Sequence, residues 1–215
     1  QVCYLDSYPL NEYSMYGAVP LRDIKHQLLT LKAAGKLDQV RMLLLTNCTF
    51  DGLVYNVERV MEECLAIKPD LIFLWDEAWF AFARFNPTYR QRTGMNAANT
   101  LREKFKSVKH LEAYEKQQKT LKDADDETLL STRLIPSPKS RVRVYTTQST
   151  HKTLTSLRQG SMIHVNDQDF KGEVEQSFHE AYMTHTSTSP NYQIIASLDV
   201  GRRQVELEGF EYVQR

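Results

Sequence analysis

The run Leu71-Ile72-Phe73-Leu74-Trp75-Asp76-Glu77-Ala78-Trp79 carries more information about the architecture than any other segment of this chain. Its five unbroken apolar residues have the length and composition of a strand buried on both faces, as strands are in parallel sheets covered by helices. Immediately upstream, Lys68-Pro69-Asp70 is a turn that closes a helix predicted over residues 53–67, with Leu53, Val57, Val60, Met61, Cys64 and Leu65 at its apolar positions. Before that helix, residues 40–45 read as a strand, and residues 21–37 as a helix with Gly35 as its stop signal. Downstream, residues 142–147 and 161–165 are predicted strands and residues 170–182 a helix. A final helix runs from Tyr192, with Ser189 as N-cap and Pro190 just inside its start. Alternating strands and helices predict an α/β fold, a mostly parallel sheet with helices on both faces.

One stretch breaks the alternation. Residues 102–127 hold seven basic and seven acidic side chains, with Leu101, Phe105, Val108, Leu111, Tyr114 and Leu121 at helical spacing. Glu112–Lys116 and Glu115–Lys119 are favourable i,i+4 pairs, so the segment reads as a solvated helical excursion, an insertion over about residues 95–135.

Composition narrows the function. The 215 residues include 27 Lys+Arg and 27 Asp+Glu, and this zero formal charge argues against binding of nucleic acid or a membrane surface by bulk electrostatics. No apolar run approaches the length of a membrane span. Cys3, Cys48 and Cys64 form no close pair, which fits reduced thiols and a cytoplasmic location. The sequence starts at Gln1 with no signal-peptide pattern and reads as part of something longer.

In open α/β sheets ligands bind beyond the carboxyl ends of the strands. Asp76 follows one strand, and Gln148-Ser149-Thr150-His151-Lys152 follows another. Taken singly, Asp76 is equally a turn cap and Lys152 an ordinary exposed loop lysine. Together they are what pyridoxal 5'-phosphate requires: an amine for its aldehyde and a carboxylate that keeps its ring nitrogen protonated. Ser149, Thr150 and His151 add donors for a phosphate.

Ser149-Thr150-His151-Lys152-Thr153-Leu154-Thr155-Ser156, with Gln159, Ser161 and Met162-Ile163-His164-Val165, resembles the cofactor-attachment signature of the prokaryotic ornithine/lysine/arginine decarboxylases. The likeness extends through residues 46–56, Asp76-Glu77-Ala78-Trp79 and residues 180–190. It implies the large domain of a fold type I pyridoxal phosphate enzyme, incomplete here, with residues 1–215 as part of it. The N-terminal phosphate loop and C-terminal small domain would be absent, since nothing before Val40 resembles the loop. Lys152 would carry the cofactor and move protons, and Asp76 would pair with the ring nitrogen. Ala78 would pack on the ring, Trp79 would sit near its polar edge, and Ser149 and His151 would hold the phosphate. Ser187 would reach the phosphate of a neighbouring subunit in a homodimer, although helix-start or turn chemistry also explains it. Asn47 and Thr49 would line the ring. Arg158 and Gly160 depart from the commoner signature.

The reaction so implied is α-decarboxylation of arginine, lysine or ornithine. Transamination on the same fold and an inactive assembly module are the alternatives. A hydrolase built on Ser149, His151 and Asp76 lacks a nucleophile elbow. A metal site from His164, His179 and His185 lacks ligand spacing.

Overall fold

The computed structural model describes residues 2–214. After an extended N-terminal segment the order is α1 (Leu21–Ala33), β1 (Met42–Thr46), α2 (Val57–Ile67), β2 (Ile72–Asp76), α3 (Pro87–Arg90), α4 (Gly94–Lys104), α5 (Val108–Thr120) and α6 (Asp126–Ser131). Then come β3 (Arg143–Gln148), α7 (Thr150–Thr153), β4 (Met162–Asp167), α8 (Glu175–His185) and α9 (Tyr192–Gln214). Among the described residues no helix is long and apolar enough to cross a membrane.

The strands lie in the order β1-β2-β3-β4. β1, β2 and β3 are parallel, and β4 runs antiparallel to β3. The two faces of the sheet differ. Leu45, Phe73, Trp75 and Val144 point into a core shared with Ile24, Leu28, Val60, Met61, Leu65, Ala97 and Leu101 of α1, α2 and α4. Burial of a side chain such as Phe73 stabilises the fold by about 2–3 kcal/mol. On the other face Tyr145 stacks on Phe178 of α8, with ring centroids 6.2 Å apart. That cover does not extend to β1, where Met42 and Leu44 remain 48% and 58% exposed.

Helix boundaries follow local chemistry. α1 ends two residues before Gly35, whose φ of +67° turns the chain out of the helix. α2 starts at Val57 rather than Leu53 because Asn56 accepts the Arg59 N–H and caps it. The cap of α9 is likewise Asn191, whose Oδ1 accepts the Gln193 and Ile194 N–H groups, and not Ser189 as the sequence suggested. Ser189 instead gives its N–H to Ser187. The predicted helix over residues 170–182 is divided, opening as a π-helical turn at Phe170–Val174 before α8.

The charged excursion becomes α4, α5 and α6. Its apolar stripe is only partly used: Leu101 and Phe105 are buried, while Val108 and Leu111 are exposed. Among the described residues neither Glu112–Lys116 nor Glu115–Lys119 forms an ion pair. Lys104 pairs instead with Glu58 and Glu62 of α2, and Arg133 with Glu62, so the excursion is fastened to the core by charge. Buried His110 stacks on Phe105 at 5.0 Å and bonds the Pro136 carbonyl.

A wholly buried ion pair lies under this layer. Lys25 of α1 reaches Glu63 of α2 at 2.7 Å and also donates to the Leu130 and Thr132 carbonyls at the end of α6.

Candidate functional site

Thr46, Asp76 and Thr147 occupy one register row at the carboxyl ends of β1, β2 and β3. The turns leaving this row carry most of the residues singled out from sequence. Asp76 is half-buried, and its Oδ1 accepts the Ala78 N–H at 3.1 Å, so one carboxylate oxygen is used to shape the turn. Beyond the turn, Trp79 meets Phe50 edge-to-face at 5.3 Å and packs against a small apolar cluster of Cys48, Phe80 and Ala83.

The β3–α7 turn approaches the same place. Ser149 precedes the short α7, and its carbonyl accepts the Lys152 N–H. Lys152 is exposed, and its Nζ stands 5.1 Å from the centroid of the Trp79 ring. At an exposed site such a contact is worth about 0.5–1 kcal/mol, which holds the amine without trapping it. His151 is turned back by a 2.9 Å contact of Nδ1 with the Gly160 carbonyl. Gly160, a departure from the signature, has a local reason: a Cβ there would lie 2.6 Å from Leu198 Cδ2 of α9.

Lys152, Trp79, Ala78 and Asp76 are thus brought to one edge of the sheet, with Ser149 and His151 on the same turn as Lys152. Ser187 is not gathered with them. It is exposed in the connection between α8 and α9, and its hydroxyl accepts the Ser189 N–H. Asn47 does not line this edge either. It is fully buried, giving its amide to Glu77 and the Arg92 carbonyl and accepting the Tyr55 N–H. Thr49 closes the turn to Leu53.

Glu77 has no role in the sequence reading, yet its side chain accepts three hydrogen bonds here, as many as Asn47 makes. Oε1 accepts from Gly94 N–H at 2.7 Å and Asn47 Nδ2 at 3.1 Å, and Oε2 accepts from Gln148 Nε2 at 3.2 Å. Gln148 Oε1 in turn meets His164 Nε2 at 3.1 Å. Burial raises the Glu77 pKa, and the three donors oppose that rise. Gly94 is the first residue of α4, and a Cβ there would lie 2.7 Å from Thr146 Cγ2 and 2.8 Å from Trp75 Cδ1, so the helix start sits directly on the sheet. A signal for this network is present in the sequence: Asn47, Glu77 and Gln148 each carry a hydrogen-bonding side chain one register row along the three parallel strands.

Burial alone lowers the His164 pKa below its ordinary 6.5. The unfolded chain therefore binds the proton first, and stability is lost as pH falls from 6.5 towards the folded-state pKa. Between pH 7.5 and 5.5 the wild-type melting temperature should fall further than that of His164→Gln. Equal slopes for the two proteins would remove His164 as the cause.

The profile described as "Orn/Lys/Arg decarboxylase, major domain" matches residues 2–129 and 130–213. This chain belongs to that family. It is 32% identical over 202 residues to lysine decarboxylase LdcA of Pseudomonas aeruginosa, covering 91% of this chain and 22% of that protein. It is 30% identical to the biodegradative arginine decarboxylase of Escherichia coli, over 89% of this chain and 20% of the relative. The constitutive lysine decarboxylase of E. coli has a solved structure that superposes with a TM-score of 0.57 at 26% identity, covering 94% of this chain and 22% of that one. The chain thus spans about a fifth of the length of these relatives. The family's α/β architecture agrees with the sheet and flanking helices described above.

Proposed function

We propose that the protein carrying this chain removes the α-carboxylate of lysine, arginine or ornithine as CO2, using pyridoxal 5'-phosphate. The observation that carries this reading is the approach of Lys152 Nζ to Trp79, 5.1 Å from the ring centroid, where the turns from β2 and β3 meet. The relatives named for the three basic amino acids support the substrate class.

The donor set fits the cofactor. Lys152 is an exposed primary amine with no ion-pair partner among the described residues, suited to take up an aldehyde. Asp76 Oδ1 accepts the Ala78 N–H, and Oδ2, which has no hydrogen-bond partner among the described residues, would be left to pair with a protonated ring nitrogen. Ala78 would pack on the ring, Trp79 would sit near its polar edge, and Ser149 and His151 would donate to the phosphate. When bound, the cofactor supplies an electron sink for the pair left as CO2 departs. Lys152 would deliver the replacing proton to Cα. The exposure of Ser187 on a separate element suits a hydroxyl that serves a neighbouring subunit in a homodimer. Its free cysteines, two of them buried, suit a cytoplasmic protein.

The full-length protein, incubated with pyridoxal 5'-phosphate and each of the three amino acids in turn, should release CO2 in step with the matching amine for at least one of them. A keto acid without CO2 would overturn the reading in favour of transamination.

A further inference from the structure

The strand ends under the site are tied together by one polar chain whose direction can be deduced. Asn47 cannot turn its amide over, because Nδ2 gives to the Arg92 carbonyl at 2.9 Å while Oδ1 takes the Tyr55 N–H at 3.3 Å. It therefore presents N–H to Glu77 Oε1, and so does the Gly94 backbone. With Glu77 ionised, Oε2 accepts as well and draws the amide end of Gln148 towards it. The carbonyl end of Gln148 is then left for His164 Nε2, which must carry the proton. One carboxylate thus sets the orientation of Gln148 and the tautomer of His164, across all four strands.

We infer that Glu77 is a positioning residue for the cofactor site, acting through Gln148 to hold the Asp76–Trp79 and Ser149–Lys152 turns against each other. Its own position makes this direct: Glu77 stands between Asp76 and Ala78, and Gln148 immediately precedes Ser149. The backbone repeats the tie, with Glu77 N–H bonded to the Thr147 carbonyl at 2.8 Å and Asn47 N–H to the Asp76 carbonyl at 2.8 Å. Glu77 itself is fully buried and does not reach the face where Lys152 is exposed. The inference rests on the proposed cofactor reading of that face.

The direction of the chain gives a test that shape alone does not. In Glu77→Gln the oxygen must stay with Gly94 and Asn47, so the new amide points at the amide of Gln148. Gln148 must flip, and His164 must move its proton to Nδ1. In Gln148→Glu two carboxylates face each other. In the double variant Glu77→Gln/Gln148→Glu the order of donors and acceptors is restored. The amide introduced at position 77 would donate to the carboxylate introduced at position 148, whose other oxygen takes the His164 Nε2–H.

Affinity for pyridoxal 5'-phosphate, measured by equilibrium dialysis on the full-length protein, should fall about tenfold or more in each single variant and return to within about threefold of wild type in the double. Single variants that bind like wild type, or a double no better than either single, overturn the inference. Lys152→Ala is the control: equal affinity in wild type and this variant would refute the location of the cofactor, not the chain. The chain is then judged on melting temperature, where wild type and double should both exceed the two singles. A double that melts below both overturns it.

Discussion

Lys152→Ala should lower CO2 release by the full-length protein by about a thousandfold or more while leaving its stability nearly unchanged. The activity loss follows from chemistry, since no other amine occupies the turn and alanine has no nucleophile to take up an aldehyde or return a proton. The stability expectation follows from the geometry. Lys152 is exposed, its ammonium is held by the contact with Trp79, and the hydrogen bond from its backbone N–H to Ser149 survives the substitution. The loss in folding free energy should therefore stay below about 1 kcal/mol. A small primary amine added to the variant should restore part of the rate, because it replaces the missing group without replacing the side chain. Turnover within a few-fold of wild type would remove Lys152 from the mechanism.

Lys25→Met should have the largest effect on stability, about 3–5 kcal/mol. Lys25 and Glu63 are both about 1% exposed, and Lys25 also satisfies the Leu130 and Thr132 carbonyls at 3.0 and 2.8 Å. Among the described residues, removal of the ammonium leaves Glu63 with Arg59 as its remaining partner, half in solvent, at 2.8 Å. A buried carboxylate with one external partner is a heavy penalty, and two carbonyls lose their donor as well. The double variant Lys25→Met/Glu63→Leu should recover part of the loss by removing the stranded charge. Hydrogen exchange at the buried amides of α1 measures both, since protection there reports local opening free energy. A single variant protected as well as wild type would show that the pair contributes nothing.

These two residues also mark how far the sequence could be read. The sheet was legible because β1 and β2 are apolar runs of strand length and β3 is rich in β-branched residues, and Phe73, Trp75 and Val144 all end in the core. Asp76 and Lys152 drew notice because each lies in a turn just past a strand, where backbone direction carries both to one edge, whereas Ala78 and Trp79 were named only through the family resemblance. Lys25 was not. A lysine in α1 does not announce its partners, and only tertiary packing brings Glu63 and the carbonyls of a remote segment to it. Glu77 escaped for a related reason: in the sequence it stands out only as a neighbour of Asp76, and its three donors arrive from three separate places in the chain. Helix starts were misread where an asparagine, at positions 56 and 191, captured the cap a few residues from the predicted one. Asn47 was misassigned because a polar residue after a strand does not declare whether it faces outward or into the network beneath.

The parallel pairing of β2 with β3 has a consequence for the order of events during folding. Residues 77–142, with α3 to α6, lie between these neighbouring strands, whereas α1, β1, α2 and β2 follow one another by short connections. Closing a long loop has an entropic cost that early local contacts do not carry, so the first αβ steps are expected to form ahead of the β2–β3 seam. The turns bearing Asp76 and Lys152 face each other only across that seam. Recovery of cofactor affinity during refolding would therefore follow helix formation and time the closure of the sheet.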